Sequence, residues 1–241
     1  METIEIQTNP EAEAPELTIL MPCLDEEANL PDAIHAAQKF LTDHQVIGEI
    51  LIADNGSTDH SAELARSLGA RVISVPERGY GNALRAGIKQ ARGIYTIMGD
   101  CDTTYDFEHL LPFLTELRSG AQLVIGDRFA GGIAPGAMPF SHRYLGVPVL
   151  SQIGRLRYRL DIRDFHCGLR GFHTATAQQL PLRTSGMEFA TELIACFAAH
   201  GASIAQVPAT LSVSSHPRKS HLHSIRDGLR HLHFMFQSHD F

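Results

Sequence analysis

Five apolar runs of strand length, at residues 17–21, 49–53, 71–75, 94–98 and 122–125, alternate with four stretches of helical period, at 28–41, 57–69, 80–92 and 107–119. A strand that must pair in parallel with the next needs a crossover, and a helix of this length supplies one. The alternation therefore predicts an α/β fold, a mostly parallel sheet covered by helices on both faces. Pro22 is expected to stop the first strand, Ser57 or Thr58 to cap the second helix, and Gly69 to end it. Ligands of such sheets sit beyond the carboxyl ends of the strands. Acids gather at three of those ends: Asp25-Glu26, Asp54, and Asp100-Cys101-Asp102.

The remainder reads differently. Residues 1–15 have the composition of a flexible tail, and residues 130–141 form a Gly/Pro-rich loop long enough to carry function. A helix is expected at 144–159, a strand near 169–173, a helix at 188–199, and a basic loop at 214–221. A final amphipathic helix follows, with Leu222, Ile225, Leu229, Leu232 and Phe236 along one stripe. No repeat or linker divides residues 16–241, so one domain is expected.

The net charge of −7 argues against nucleic acid as the main partner. Four scattered cysteines without a CxxC pair fit reduced thiols, not a disulfide framework or a zinc knuckle. The acidic start is not a secretory signal, and no run of 18 apolar residues exists to span a bilayer. The expected location is the cytoplasm, with peripheral contact to the inner membrane face as an alternative.

Alternate residues of an extended segment point the same way, so Asp100 and Asp102 can face one ligand. Two neighbouring anions favour a cation between them, and a hard ion, Mg²⁺ or Mn²⁺, suits oxygen ligands and a diphosphate. The same spacing also occurs in plain turn or helix-capping acids. Arg78-Gly79-Tyr80-Gly81-Asn82 opens a helix, where glycine permits close approach and the helix end attracts phosphate. Neither a Walker A loop nor a dinucleotide fingerprint is present.

Taken together and in order, LTILMPCLDEE, ILIADNGSTD, RGYGNALRAGI and MGDCDTTYD resemble family 2 glycosyltransferases of the Rossmann-like GT-A fold. The likeness is greatest to dolichyl- and polyprenyl-phosphate sugar transferases, and IGDRF, PGAMPFSHRYLG and DFHCGLRGF extend it. The resemblance implies a nucleotide-sugar donor (UDP- or GDP-linked), a divalent ion and inversion at the anomeric carbon. It divides the chain into a nucleotide-sugar-binding half, 16–128, and an acceptor-binding half with the C-terminal helix, 129–241. By motif, Pro22, Leu24, Glu26 and Asp54 line the nucleoside pocket, with Arg78 and Gly81 near the nucleotide. Asp100 contacts the ribose or the metal, and Asp102 ligates the metal. Arg128 and Arg143 face the acceptor or the departing phosphate, and Arg218, Lys219 and Ser220 form the late basic loop.

A polyprenyl phosphate is already an anion and needs no strong base. A soluble hydroxyl acceptor would need one, and Asp164 and Glu188 are the candidates. A catalytically silent nucleotide-sugar-binding subunit is a third reading, against which the intact Asp100 and Asp102 weigh. The relatives often continue into membrane helices, which this chain lacks. Its last helix either docks on the core or lies on an anionic membrane.

Overall fold

The structure, a computed structural model, describes residues 14–216 and 224–237. Most of the expected tail, and Arg218, Lys219 and Ser220, lie outside the described residues.

Among those described, β1 (Leu17–Cys23), β2 (Gly48–Asp54), β3 (Arg71–Ser74), β4 (Tyr95–Met98), β5 (Leu123–Asp127), β6 (Arg170–His173) and β7 (Ile204–Pro208) form one sheet. Its order is β3-β2-β1-β4-β6-β5-β7. The helices are α1 (Leu30–Asp43), α2 (Ser61–Ser67), α3 (Tyr80–Gln90), α4 (Leu111–Arg118), α5 (Arg128–Gly131), α6 (Val147–Tyr158), α7 (Thr174–Gln179), α8 (Phe189–Ala199) and α9 (Ser224–Phe236). A wide turn of π-helix, His142–Gly146, leads into α6.

The central strands are apolar on both faces because helices cover both. Leu17, Ile19, Leu20 and Met21 of β1 are fully buried, as are Leu123, Val124 and Ile125 of β5. Each such side chain contributes roughly 1.5–3 kcal/mol by leaving water. β1 runs through Pro22 to Cys23 and does not stop at the proline. Pairing with β4 ends at Leu20↔Met98, so beyond that point Pro22 faces no ladder on that side and its missing N–H costs nothing.

α2 begins at Ser61, not after Ser57, because Asp59 accepts from the Ser61 amide and hydroxyl, and the Thr58 amide goes to Asp25 instead. α4 likewise starts at Leu111, after a turn in which Asp106 accepts from the Glu108 amide.

The sheet is parallel except for β6, which runs antiparallel to both neighbours. Its reversal brings the preceding segment, residues 164–169, to the edge where β1, β2, β4 and β5 end. α9 departs from the expected stripe. Asp227, His231, Phe234 and Met235 are buried against the body, while Leu229 and Phe236 are exposed. Leu222 and the side chain of Ile225 lie outside the described residues. No described helix is long and apolar enough to cross a membrane.

Candidate active site

Two groups of side chains meet at this carboxyl edge. The first is acidic and follows β1, β2 and β4. Asp25 sits in the left-handed region at φ 55, where its carboxylate accepts from the Thr58 amide at 2.6 Å and the Thr58 hydroxyl at 3.1 Å. The Thr58 amide bond above all holds the Asp25 carboxyl below its usual range. Glu26 is buried, its amide donates to Ser61, and its carboxylate accepts from Asn29 at 3.0 Å. Asp54 ends β2, nearly buried, and accepts from the Ser57 amide. Pro22 and Leu24 are half-buried beside them.

Asn55 fixes the next wall. Its amide group donates to the carbonyls of Val75 and Glu77, and its carbonyl oxygen accepts from the Gly79 amide at 2.7 Å. That clamp sets Arg78 with its guanidinium beside Gly56, just past Asp54. Gly81 lies at the start of α3. Its amide donates to Ser185, and a Cβ there would stand 2.4 Å from the Thr184 carbonyl oxygen, so it serves the close approach of α3 to that loop.

In the Asp100-Cys101-Asp102 segment the middle residue turns inward. Cys101 is buried and its thiol donates to the Pro22 carbonyl at 3.1 Å. Asp102 is half-buried and its Oδ1 accepts from the amide and hydroxyl of Thr104, at 3.1 and 2.6 Å. Burial first, and the charge of Asp102 second, push the Asp100 carboxyl up to about 7, against the Tyr80 hydroxyl and Arg128, which pull it down.

The Asp102 charge is therefore close enough to penalise ionisation of Asp100, which a divalent ion would relieve. No group of three or more His, Cys, Asp or Glu side chains closes around a metal among the described residues. Such a sparse donor set fits Mg²⁺ or Mn²⁺, which keep waters and take further oxygens from phosphates. The segment before residue 217 is tied to the same place: Asn29 accepts from the His216 amide and the Ser214 hydroxyl, and the Ser215 amide donates to Thr103.

The second group is basic and follows β5. Asp127 caps α5 by accepting from the amides of Phe129 and Ala130. Arg128 then starts the helix, nearly buried, and makes a two-point pair with Asp164, Nε–Oδ2 2.6 Å and Nη2–Oδ1 2.8 Å. A cavity of about 400 Å³ opens beside it, lined by Arg128, Phe129, Ile133, Arg143, Tyr144 and Arg163. The structure thus brings Arg128 and Arg143 together and adds Arg163. Only its place next to Asp164 could have signalled that.

Each expected base is paired with an arginine. Asp164 is fully buried with both oxygens on Arg128. Glu188 accepts from Arg230 at 2.6 Å and from the Gly186 amide. Burial works to raise its pKa, yet the Arg230 bond and charge hold the carboxyl below its usual range. Asp164 thus holds Arg128 with both oxygens, whereas Glu188 holds Arg230 through Oε1 and its buried Oε2 makes no hydrogen bond.

An acid pair and an arginine cavity thus meet on the carboxyl edge of a sheet with one reversed strand, a transferase fold. The chain belongs to glycosyl transferase family 2, whose model matches residues 18–180. It is 39% identical to the low-salt glycan biosynthesis hexosyltransferase Agl6 of Haloferax volcanii over 92% of this chain, which spans only 53% of that protein. It is 28% identical to a dolichyl-phosphate hexose transferase of the same organism, over 80% of this chain and 81% of that one. Among solved structures it resembles glucosyl-3-phosphoglycerate synthase of Mycobacterium tuberculosis in complex with Mn²⁺ and UDP-glucose, with a TM-score of 0.64 and 25% identity over 86% of this chain and 73% of that one. The fold is accordingly GT-A.

Proposed function

We propose that the chain transfers a sugar from a nucleotide sugar to a polyprenyl phosphate, with inversion at the anomeric carbon. The observation that carries the acceptor is a cavity lined by Arg128, Arg143 and Arg163, beside which Asp164 has both carboxylate oxygens engaged by Arg128. A hydroxyl acceptor needs a base to take its proton. A phosphate acceptor is already anionic and needs cations, and arginine grips phosphate oxygens at two points.

In this reading Asp54, Glu26, Pro22 and Leu24 hold the nucleoside, and Arg78 lies along its phosphates. Asp100 and Asp102 would hold Mg²⁺ or Mn²⁺, which when bound neutralises charge gathering on the departing diphosphate. Arg128 and Arg143 hold the acceptor phosphate so that its oxygen meets the anomeric carbon opposite the leaving group. Asp164 keeps Arg128 in that pose. The sugar's bond to the diphosphate breaks as its bond to the acceptor oxygen forms. Arg218, Lys219 and Ser220 follow the anchored residue His216 and complete the diphosphate grip. The expected setting is the cytoplasm, at the inner membrane face where such an acceptor presents its headgroup.

The test is incubation with Mn²⁺, a short-chain polyprenyl phosphate and each of a panel of UDP- and GDP-sugars, read by mass spectrometry. The expected result is a glycosylated lipid phosphate with one donor. Sugar transfer to a soluble hydroxyl acceptor alone would replace the acceptor assignment, and donor binding without any turnover would leave a binding subunit.

A further inference from the structure

α6 is built inside out. Its buried residues are the small Ser151 and Gly154, and a Cβ at Gly154 would come within 2.8 Å of the Phe165 ring. Large apolar side chains point to solvent. Leu145, Val149 and Leu156 are spaced to share one helical face, and Leu145 and Leu156 are 65% and 72% exposed. Phe140, 78% exposed, stacks near Tyr144 with ring centroids 4.5 Å apart. A helix that seats small residues inward and displays leucines outward is the reverse of a core-covering helix. A contiguous exposed apolar face of this kind marks an interaction surface.

Charge narrows the partner. Residues 140–163 hold five arginines and one acid, in a chain of net charge −7. Asp161 is paired with Arg155 and Arg163 faces Asp127 of β5 at 3.7 Å, which leaves Arg143, Arg157 and Arg159 as the excess charge. A second copy docked symmetrically on this face would set like charges against each other. An anionic lipid surface meets the apolar stripe and the flanking arginines together. The placement of the cavity agrees: Tyr144 and Pro148 line it, so its mouth borders the apolar face.

We propose that the face formed by Phe140, Tyr144, Leu145, Val149 and Leu156 docks on an anionic bilayer, setting the arginine cavity at headgroup level. The inference rests on the lipid-phosphate acceptor proposed above for its purpose, though not for its chemistry.

The experiment is flotation of the full chain with vesicles of equal parts phosphatidylglycerol and phosphatidylcholine, and with phosphatidylcholine alone. The wild type is expected to float with the anionic vesicles, and a Leu145→Glu/Leu156→Glu variant to partition at least about tenfold less, with an unchanged melting temperature. Both positions are exposed, so the variant retains its packing.

Failure of the wild type to float, or equal flotation of the variant, overturns the proposal. So does a wild-type dimer in sedimentation that the variant breaks, since the face would then be a subunit interface. Turnover on short-chain polyprenyl phosphate without vesicles reads the acceptor separately. A chain that transfers sugar but does not float overturns the surface alone. A chain that floats but transfers no sugar to lipid phosphate overturns the acceptor and supports the surface.

Discussion

Arg128 and Asp164 show how a buried charge pair fixes a reactive geometry. Asp164 is fully buried, so its carboxylate depends on the guanidinium, and Arg128 on it. Removing one partner from such a pair costs about 3–5 kcal/mol, because the other charge stays buried. Asp164→Asn is therefore expected to lower stability in urea unfolding by roughly that much and to cut the turnover number, with donor affinity unchanged. A base acting in isolation would instead lose turnover at little cost in stability. Asp102→Asn is expected to lower donor affinity in Mn²⁺ at least about tenfold, to the value measured in chelator, since even outer partners of a metal are worth that much. Calorimetric titration with and without Mn²⁺ checks it. Asp100, Asp102, Arg128 and Arg143 were legible because each sits in a short motif at a strand or loop end. Arg163 was not, and Asn55 showed only as a polar residue of the Asp54-Asn55 strand end, not as a clamp. Arg163 joins the cavity only through the position of the segment before β6, and Asn55 acts through carbonyls about twenty residues away in sequence.

α9 belongs to the scale of elements. Period marked a stripe of Leu, Ile and Phe, but the face set against the body is chosen by polar partners on α8 and around it. His231 meets the Thr191 hydroxyl at 2.8 Å and lies edge-on to His166 at 4.6 Å, and Arg230 reaches Glu188. Such partners are invisible to a hydrophobic stripe. β7 escaped the sequence reading for a related reason: it is a sheet-edge strand with only Val207 buried, so no apolar run announces it. Burial foremost pushes His231 down from 6.5 to about 4, and His166 well below its usual range. Both imidazoles are neutral when docked, whereas an unfolded histidine charges near pH 6.5. The docked state is therefore fully favoured above about pH 6.5 and loses stability as the pH falls toward 4, by roughly 3 kcal/mol for His231 alone. The protection factors of the α9 amides, each taken against the intrinsic exchange rate at that pH, are expected to fall as the pH is lowered from 7.5 to 5. In His231→Gln, stability is expected to vary less steeply with pH over that interval. A third test addresses α6: Gly154→Val is expected to cost about 1–3 kcal/mol by forcing the helix off Phe165, read as a lowered melting temperature.

For the whole molecule, the parallel core of β1, β2, β3 and β4 followed from strand–helix alternation, since only crossovers can join such short apolar runs. The reversed β6 did not follow, because direction is set by where the chain returns, and the return runs through a loop and a helix whose packing partners are distant in sequence. That single reversal joins the two halves of the site: it carries Asp164 to Arg128 and Gly168 to the Asp100 carboxylate. The acidic and arginine groups thus hang from one sheet edge, and under the proposed function a donor bound there is expected to stabilise the fold as a unit. A ligand at about 100 times its Kd adds about 2.7 kcal/mol. For a chain of this size that corresponds to a rise in Tm of about 5–10 °C. The rise is expected with one class of nucleotide sugar in Mn²⁺, and only a small part of it is expected to survive chelation, because Asp100 and Asp102 repel the diphosphate when no ion lies between. An equal rise in chelator would show that the diphosphate is held by arginines alone, and would remove the acid pair from donor binding.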